Sequence, residues 1–295
     1  MDATGSVSSA FQSRHEKVRI PTDDGRVLAG ILFTPWAPAA AVVIHGGVGF
    51  PARYYQAFAA WLADQGVMVL VYDYRDFGAS ADRPLIQSDA CLSDWGLKDQ
   101  SAALDYLIAR SEGLPVRVLG HSLGGQWLAF HRNARRVERA VTVASGPAYW
   151  LDHPLPMLPI VLGFWWLFGP LIAAIFGYMP GKRLGLGADI PAGVYWEWRK
   201  LCLHRDYHIS EWGKAYPTPD LAAVRFPVTL MPIADDILIA PHMVRKSHRF
   251  YPETRIDEIL LDPKAFGLKR IAHGGAFLEK NNACWPAIAT ALLRG

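Results

Sequence analysis

From Glu16 the chain alternates apolar and polar positions. KVRIPTDDGRVLAGILFTP holds two alternating runs broken by Asp23-Asp24-Gly25, which predicts an antiparallel hairpin. The rhythm then changes. Ala39–Ile44 (AAAVVI) is a short continuous apolar run, as a strand covered on both faces requires, and it ends in the glycine-rich turn His45–Gly49. Tyr54–Gly66 carries apolar residues at helical spacing and closes on a glycine suited to a C-cap. Val67–Tyr72 (VMVLVY) predicts the next buried strand, and the polar turn DYRDFGAS follows it. Asp94–Arg110 predicts a helix and Val116–Leu119 a strand. GHSLGG then forms a turn, a further helix runs through His131, and Val137–Ser145 is another strand.

This alternation stops at Tyr149. It resumes with a strand at Pro227–Ile233, an acidic turn at Ala234–Ile237, a helix over Pro241–Tyr251, a strand at Ile256–Leu261 and a last helix at Trp285–Leu293. Strands and helices in alternation over short connections predict an α/β fold, a mostly parallel sheet with helices on both faces. The organisation expected is a polar leader at 1–15 and one sheet domain built from 16–148 and 220–295, interrupted by an insertion at 149–219.

Composition narrows the classes of function. The 295 residues are 51% hydrophobic and 19% charged, with a formal charge of +3. No element alternates Lys or Arg with stacking aromatics, so nucleic acid is not an expected partner. Arg135, Arg136 and Arg139 read as solvated helix-end residues. Cys91, Cys202 and Cys284 are far apart and form no CxxC pair, so neither a zinc site nor a disulfide framework is expected, and a cytoplasmic compartment fits. The first 16 residues are polar and lack the apolar core of a secretory signal, which reads as a loose leader.

The candidate chemistry centres on Gly120-His121-Ser122-Leu123-Gly124, a GxSxG sequence with a buried strand before it and a helical pattern after it. A sharp strand-to-helix turn exposes the serine, and glycines two residues to either side remove the clash such a turn creates. The helix expected from Gly124 would direct its positive end toward an oxyanion. A serine hydroxyl needs an adjacent base oriented by a third group. Asp235 and Asp236 follow the strand PVTLMPI, where α/β sheets place their ligand-facing loops, and either one suits the acid. His273, in IAHGGAF, lies between the last strand and the last helix, with glycines that let its loop bend toward Ser122. An oxyanion hole needs two backbone N–H groups. Leu123 is one expected donor, and Gly47, in the turn after the first parallel strand, is the other. No metal or cofactor is implied.

Over nearly its whole length the order HGG, DYRDFG, GHSLGG, DD and HGG resembles the serine hydrolases of the α/β-hydrolase superfamily, including the monoacylglycerol-lipase and serine-aminopeptidase-like branches. SDWGLKDQSAALDYL, GHSLGGQ, ASGPAYW and PGKRLGLGADIPAGVYWEW are similar to a narrower group of bacterial α/β-hydrolases whose substrates are mostly unassigned. The resemblance implies the α/β-hydrolase fold and a triad of Ser122, Asp236 and His273, with Asp235 then a turn residue. It does not imply a substrate. The first turn of that group often lacks a histidine at the place of His45, a departure that bears on the oxyanion hole. Asp73 and Arg75 match a recurring superfamily segment and read as structural, with Arg75 tying down loops.

The hydrophobic excess lies in Leu155–Pro180, an uncharged run whose length permits a membrane span. Prolines 156, 159 and 170 and glycines 163, 169 and 177 would interrupt one spanning helix, and a span would part the Ser122 half of the sheet from the Asp236 half. A pair of short helices forming an apolar lid over the site satisfies the connectivity, and docking of that lid on a membrane surface is the alternative. Tyr195–Trp212, aromatic and mixed in charge, either lines the pocket mouth or packs the lid on the sheet. The function expected is hydrolysis of a small-molecule carboxylic ester or thioester with an apolar portion through an acyl-enzyme. An acyltransferase, a peptidase or amidase, or a non-catalytic binding protein on the same fold are the alternatives. The sequence leaves the oligomeric state open.

Overall fold

In the computed structural model, which describes residues 13–294, the first alternating runs form the expected hairpin, β1 (Arg14–Pro21) and β2 (Val27–Thr34), paired antiparallel from Arg14↔Thr34 to Pro21↔Val27. Residues 1–12 of the expected leader lie outside the described residues; Arg14 and His15 already belong to β1. The continuous apolar runs become β3 (Ala40–His45), β4 (Val67–Tyr72), β5 (Val116–His121) and β6 (Val137–Val143). The two-residue strands β7 (Tyr178–Met179) and β8 (Ile190–Pro191) pair within the insertion, and β9 (Val228–Met231) and β10 (Ile256–Glu258) complete the main sheet. Its order is β1-β2-β4-β3-β5-β6-β9-β10. β2 runs antiparallel to β4, and every pairing from β4 to β10 is parallel.

The central strands are apolar at every position because each face of the sheet covers a separate core. Ala41 and Val43 of β3 and Leu70 of β4 point into one; Val42, Ile44, Val69 and Val71 point into the other. The helices Gln100–Arg110 and Ala192–Leu203 contribute Leu104, Leu107, Val194 and Leu201 to the first core. The helices Gln56–Asp64 and Trp285–Leu293 contribute Phe58, Leu62, Ile288 and Leu292 to the second. At about 1.5–3 kcal/mol for each such side chain, this two-sided burial is the main term holding the sheet.

Arg75 is buried and ties three segments together. It bonds Asp99, the last residue of the π-helical segment Asp94–Asp99 that runs into helix Gln100–Arg110, and Asp24 in the β1–β2 turn, and it lies 3.7 Å from Asp94. Asp73 accepts the N–H groups of Ala52 (2.6 Å) and Ala79 (2.8 Å). Both roles are structural.

The insertion differs from the expected pair of short helices. Leu155–Phe176 is one 22-residue helical run that contains an 18-residue window of mean hydropathy 2.0, of which only 22% is buried. It absorbs its prolines and glycines instead of breaking. Pro170 cannot donate to the carbonyl of Trp166, and a widened turn over Gly163–Leu167, in which the Phe168 N–H reaches back to the Gly163 carbonyl, precedes it. The dihedrals break at Leu167 (φ −118°, ψ −83°), so the run bends there without unwinding. Tyr195–Trp212 packs the insertion onto the sheet: Tyr195, Leu201, Cys202, Tyr207 and His208 are buried, and Glu197 accepts from Ser93 and from the Tyr216 hydroxyl.

Candidate active site

β5 delivers Ser122 at its C-terminal end with φ +51°, the left-handed region that strains an L-residue by about 1–3 kcal/mol. The flanking glycines show why the chain tolerates it. A Cβ on Gly120 would stand 2.4 Å from the Cα of Gly125, and one on Gly124 would stand 2.0 Å from the carbonyl oxygen of His45. Backbone blocks both positions, so no other residue fits either one.

The helix expected after the serine does not form. Ser122–Gly125 and Leu128–Phe130 are separate 3-10 turns. Two consecutive glycines weaken helix formation. Beyond them, Gln126 is tethered to the Gly146 carbonyl (2.8 Å), and the fully buried Trp127 stacks on His208 with ring centroids 5.0 Å apart. Side-chain anchoring outweighs helical spacing here, and with no helix the expected helix-dipole contribution is withdrawn.

Two carboxylates follow β9, and they do different things. Asp236 has a fully buried side chain whose Oδ1 accepts the N–H groups of Leu238 (2.8 Å) and Ile239 (3.0 Å). Its Oδ2 lies 2.7 Å from His273 Nδ1. Asp235 does not reach the imidazole. Its oxygens accept the backbone N–H groups of Ile271 (3.0 Å) and Ala272 (2.9 Å), immediately before His273. Ala272 is held at φ +53°, so Asp235 fastens a strained entry to the histidine turn Ala272–Gly275.

His273 Nε2 lies 3.0 Å from Ser122 Oγ. A carboxylate only accepts, so Nδ1 carries the proton and Nε2 presents its lone pair to the serine hydroxyl. Ser122, His273 and Asp236, from three distant segments, therefore form one directed chain of hydrogen bonds.

Gly47 comes beside Ser122, where a Cβ would stand 3.0 Å from the Cβ of Ser122, but its N–H is not directed at an oxyanion. It is donated to the buried Tyr55 Oη at 2.9 Å. The carbonyl of the same peptide, that of Gly46, accepts the Tyr74 hydroxyl at 2.8 Å, so two tyrosines grip this peptide from both sides. The Phe50 N–H bonds the Gly47 carbonyl at 3.2 Å with Gly49 at φ +82°, which makes Gly47–Phe50 a type II turn. Leu123 is buried behind Ser122, and its N–H, early in the 3-10 turn, has no partner within that turn. The His45 side chain turns into the core, with Nδ1 2.7 Å from Tyr72 Oη.

His121, the variable residue of GxSxG, is fully buried, and burial pushes its imidazole down to about 3, so it is neutral. Sequence reasoning missed His121, Tyr55 and Tyr74 as polar parts of this site. Tyr55 lies in an apolar helical repeat, where nothing marks a hydroxyl that will find a partner. The insertion meets the turn through the Ala188 N–H, 2.8 Å from the Gly49 carbonyl. Beside it a groove of about 520 Å³ is lined by Phe50, Tyr54, Ala57, Ala188, Phe277 and Leu278, with Arg53 and Glu279 also on its wall. Among the described residues no cluster of three or more His, Cys, Asp or Glu side chains is arranged to hold a metal ion.

Residues 37–177 match the family model of serine aminopeptidase, S33. The uncharacterized protein YfhR of Salmonella typhi is 34% identical over 92 residues, 30% of this chain; the match spans only 28% of that relative's length. Among solved structures, the Pyrococcus furiosus esterase PF2001 superposes with a TM-score of 0.59 at 15% identity, covering 95% of this chain and 91% of that one. The esterase EaEST of Exiguobacterium antarcticum gives 0.59 at 13% identity, covering 93% and 98%. With this sheet order and the serine at the end of β5, the chain has the α/β-hydrolase fold.

Proposed function

We propose that the protein is a serine hydrolase that cleaves a carboxylic ester or thioester with an apolar portion. The observation that carries this reading is the directed chain Ser122 Oγ–His273 Nε2 (3.0 Å) and His273 Nδ1–Asp236 Oδ2 (2.7 Å). Ser122 attacks the carbonyl carbon as His273 takes its proton. Asp236 keeps the imidazole in the accepting tautomer and stabilises the imidazolium. His273 then protonates the leaving alcohol or thiol, and a water activated by the same ring releases the acid. The oxyanion is bound by the N–H of Leu123 and, because Gly47 is occupied by Tyr55, by the N–H of Val48, the first central residue of the type II turn. The uncharged, apolar run Leu155–Phe176 of the insertion suits an apolar portion of the substrate.

Replacing Ser122 by Ala abolishes turnover of medium-chain p-nitrophenyl esters while leaving the thermal melt in place, and a fluorophosphonate labels the native protein at Ser122. Undiminished turnover in Ser122→Ala sinks the assignment.

The insertion helix belongs to the same reading as a lid that rests on a bilayer surface. Leu155, Leu167, Leu171 and Ile175 are each more than half exposed on a helix without charge, and the exposed Lys182 and Arg183 that follow complement anionic headgroups. Sedimentation with anionic phospholipid vesicles, reduced in a Leu167→Ser/Leu171→Ser/Ile175→Ser variant, is the expected result. A native protein that stays in the supernatant overturns the docking.

A further inference from the structure

A buried set of hydrogen bonds outside the triad joins the oxyanion turn to the backbone of His273, and the direction of each bond can be worked out. His121 Nε2 lies 3.0 Å from the His273 carbonyl oxygen, which can only accept, so Nε2 carries a proton. The ring is neutral, so Nδ1 is an acceptor, and Tyr55 Oη at 2.7 Å must donate to it. The same hydroxyl oxygen accepts the Gly47 N–H at 2.9 Å. Every member is satisfied, and each bond can run in only one direction.

We infer that Tyr55 and His121 are positioning residues of the hydrolase, acting as one unit that sets the oxyanion turn and the triad histidine at a fixed separation. The inference rests on the proposed serine hydrolase. Tyr55 is 2% exposed and His121 0%, so water does not substitute for either partner. Phe50 and Phe277 pack on the His121 ring at centroid distances of 4.9 and 5.2 Å and prevent it from turning. At one end the unit fixes the peptide that directs the Val48 N–H. At the other it fixes the carbonyl of the residue whose imidazole must meet Ser122. Neither side chain touches substrate, so the expected signature is a loss in turnover and not in binding.

The test measures kcat and KM per fluorophosphonate-titrated site for Tyr55→Phe, His121→Leu and the double variant. Each single change lowers kcat about 10- to 100-fold, the cost of misplacing reacting groups by a fraction of an ångström to an ångström, with KM within about twofold of native. The double variant is no worse than the poorer single one, because the two residues form one unit. His121→Gln, which keeps an amide N–H for the His273 carbonyl, recovers part of the loss. A purely structural role lowers the melting temperature but leaves kcat per titrated site native, and that result overturns the inference, as do additive effects. Should the variants not fold, nitrogen NMR of the native protein with labelled histidine decides the matter. His121 must be the neutral tautomer protonated at Nε2, and protonation at Nδ1 instead overturns the relay. Failure of the native protein to label at Ser122 overturns the hydrolase reading separately, since the tautomer is observed without turnover.

Discussion

Asn substitution separates the roles of the two adjacent acids. In Asp236→Asn the amide oxygen remains with the Leu238 and Ile239 N–H groups, which occupy Oδ1 at 2.8 and 3.0 Å, so the NH2 group is left facing His273 Nδ1. Two donors cannot bond, and the imidazole moves its proton to Nε2, where it can no longer accept from Ser122. Loss of the correct tautomer costs a triad about 10⁴-fold in kcat, or ~5.5 kcal/mol of transition-state stabilisation. In Asp235→Asn one of the two N–H bonds to Ile271 and Ala272 is kept, and the other is lost at a half-buried site where water partly compensates. The cost is about 1–2 kcal/mol of stability, and activity falls at most about tenfold as the turn before His273 loosens. The assay is kcat for a p-nitrophenyl ester on both purified variants, with urea unfolding alongside. Equal losses in the two variants, or a larger loss in Asp235→Asn, refute the assignment of Asp236 as the acid.

Val48→Pro removes one N–H at the first central position of a type II turn, which proline favours; kcat should fall about 10²- to 10³-fold with a near-native melt, and native kcat removes Val48 from the oxyanion hole. Gly124→Ala places a Cβ 2.0 Å from the carbonyl oxygen and 2.5 Å from the carbonyl carbon of His45; a loss of about 3 kcal/mol or more in urea unfolding is expected, and a stable, active variant contradicts the packing described. His121, His131 and His208 are pushed down to about 3 by burial, against 6.5 for the free side chain. The unfolded chain therefore binds more protons than the folded one below about pH 6.5, and stability falls on acidification through that window. Asp99, raised to about 6 by burial, opposes this between about pH 6 and 4. His131→Gln, which keeps a donor for Gln100, should reduce the slope of stability against pH by about 1.4 kcal/mol per unit between pH 6 and 4, and an unchanged slope contradicts the burial of His131 as a neutral ring.

The amino-acid sequence by itself determined the strands of the main sheet, their covering and the class of fold, because those follow from local periodicity. A strand buried on both faces must be apolar throughout, as VVI and VMVLVY are, and an elbow two residues from backbone on either side must use glycine, as Gly120 and Gly124 do. Ser122 and His273 were legible for the same reason: each sits at a fixed place in the strand order. What local periodicity does not encode was decided only by tertiary structure. The pattern after Ser122 reads as helix, yet buried Trp127 and tethered Gln126 hold two short turns there. The prolines and glycines of Leu155–Phe176 read as breaks, yet a widened turn keeps the run continuous. Asp235 and Asp236 differ by one step along the chain, and only the approach of the loop at 271–273 sends one to a backbone and the other to an imidazole. Gly47 carries an N–H in any sequence. That this one is spent on Tyr55, 2.9 Å away, depends on where a hydroxyl from the following helical segment arrives in space, and a hydrogen bond between distant side chains leaves no mark in the spacing of apolar residues.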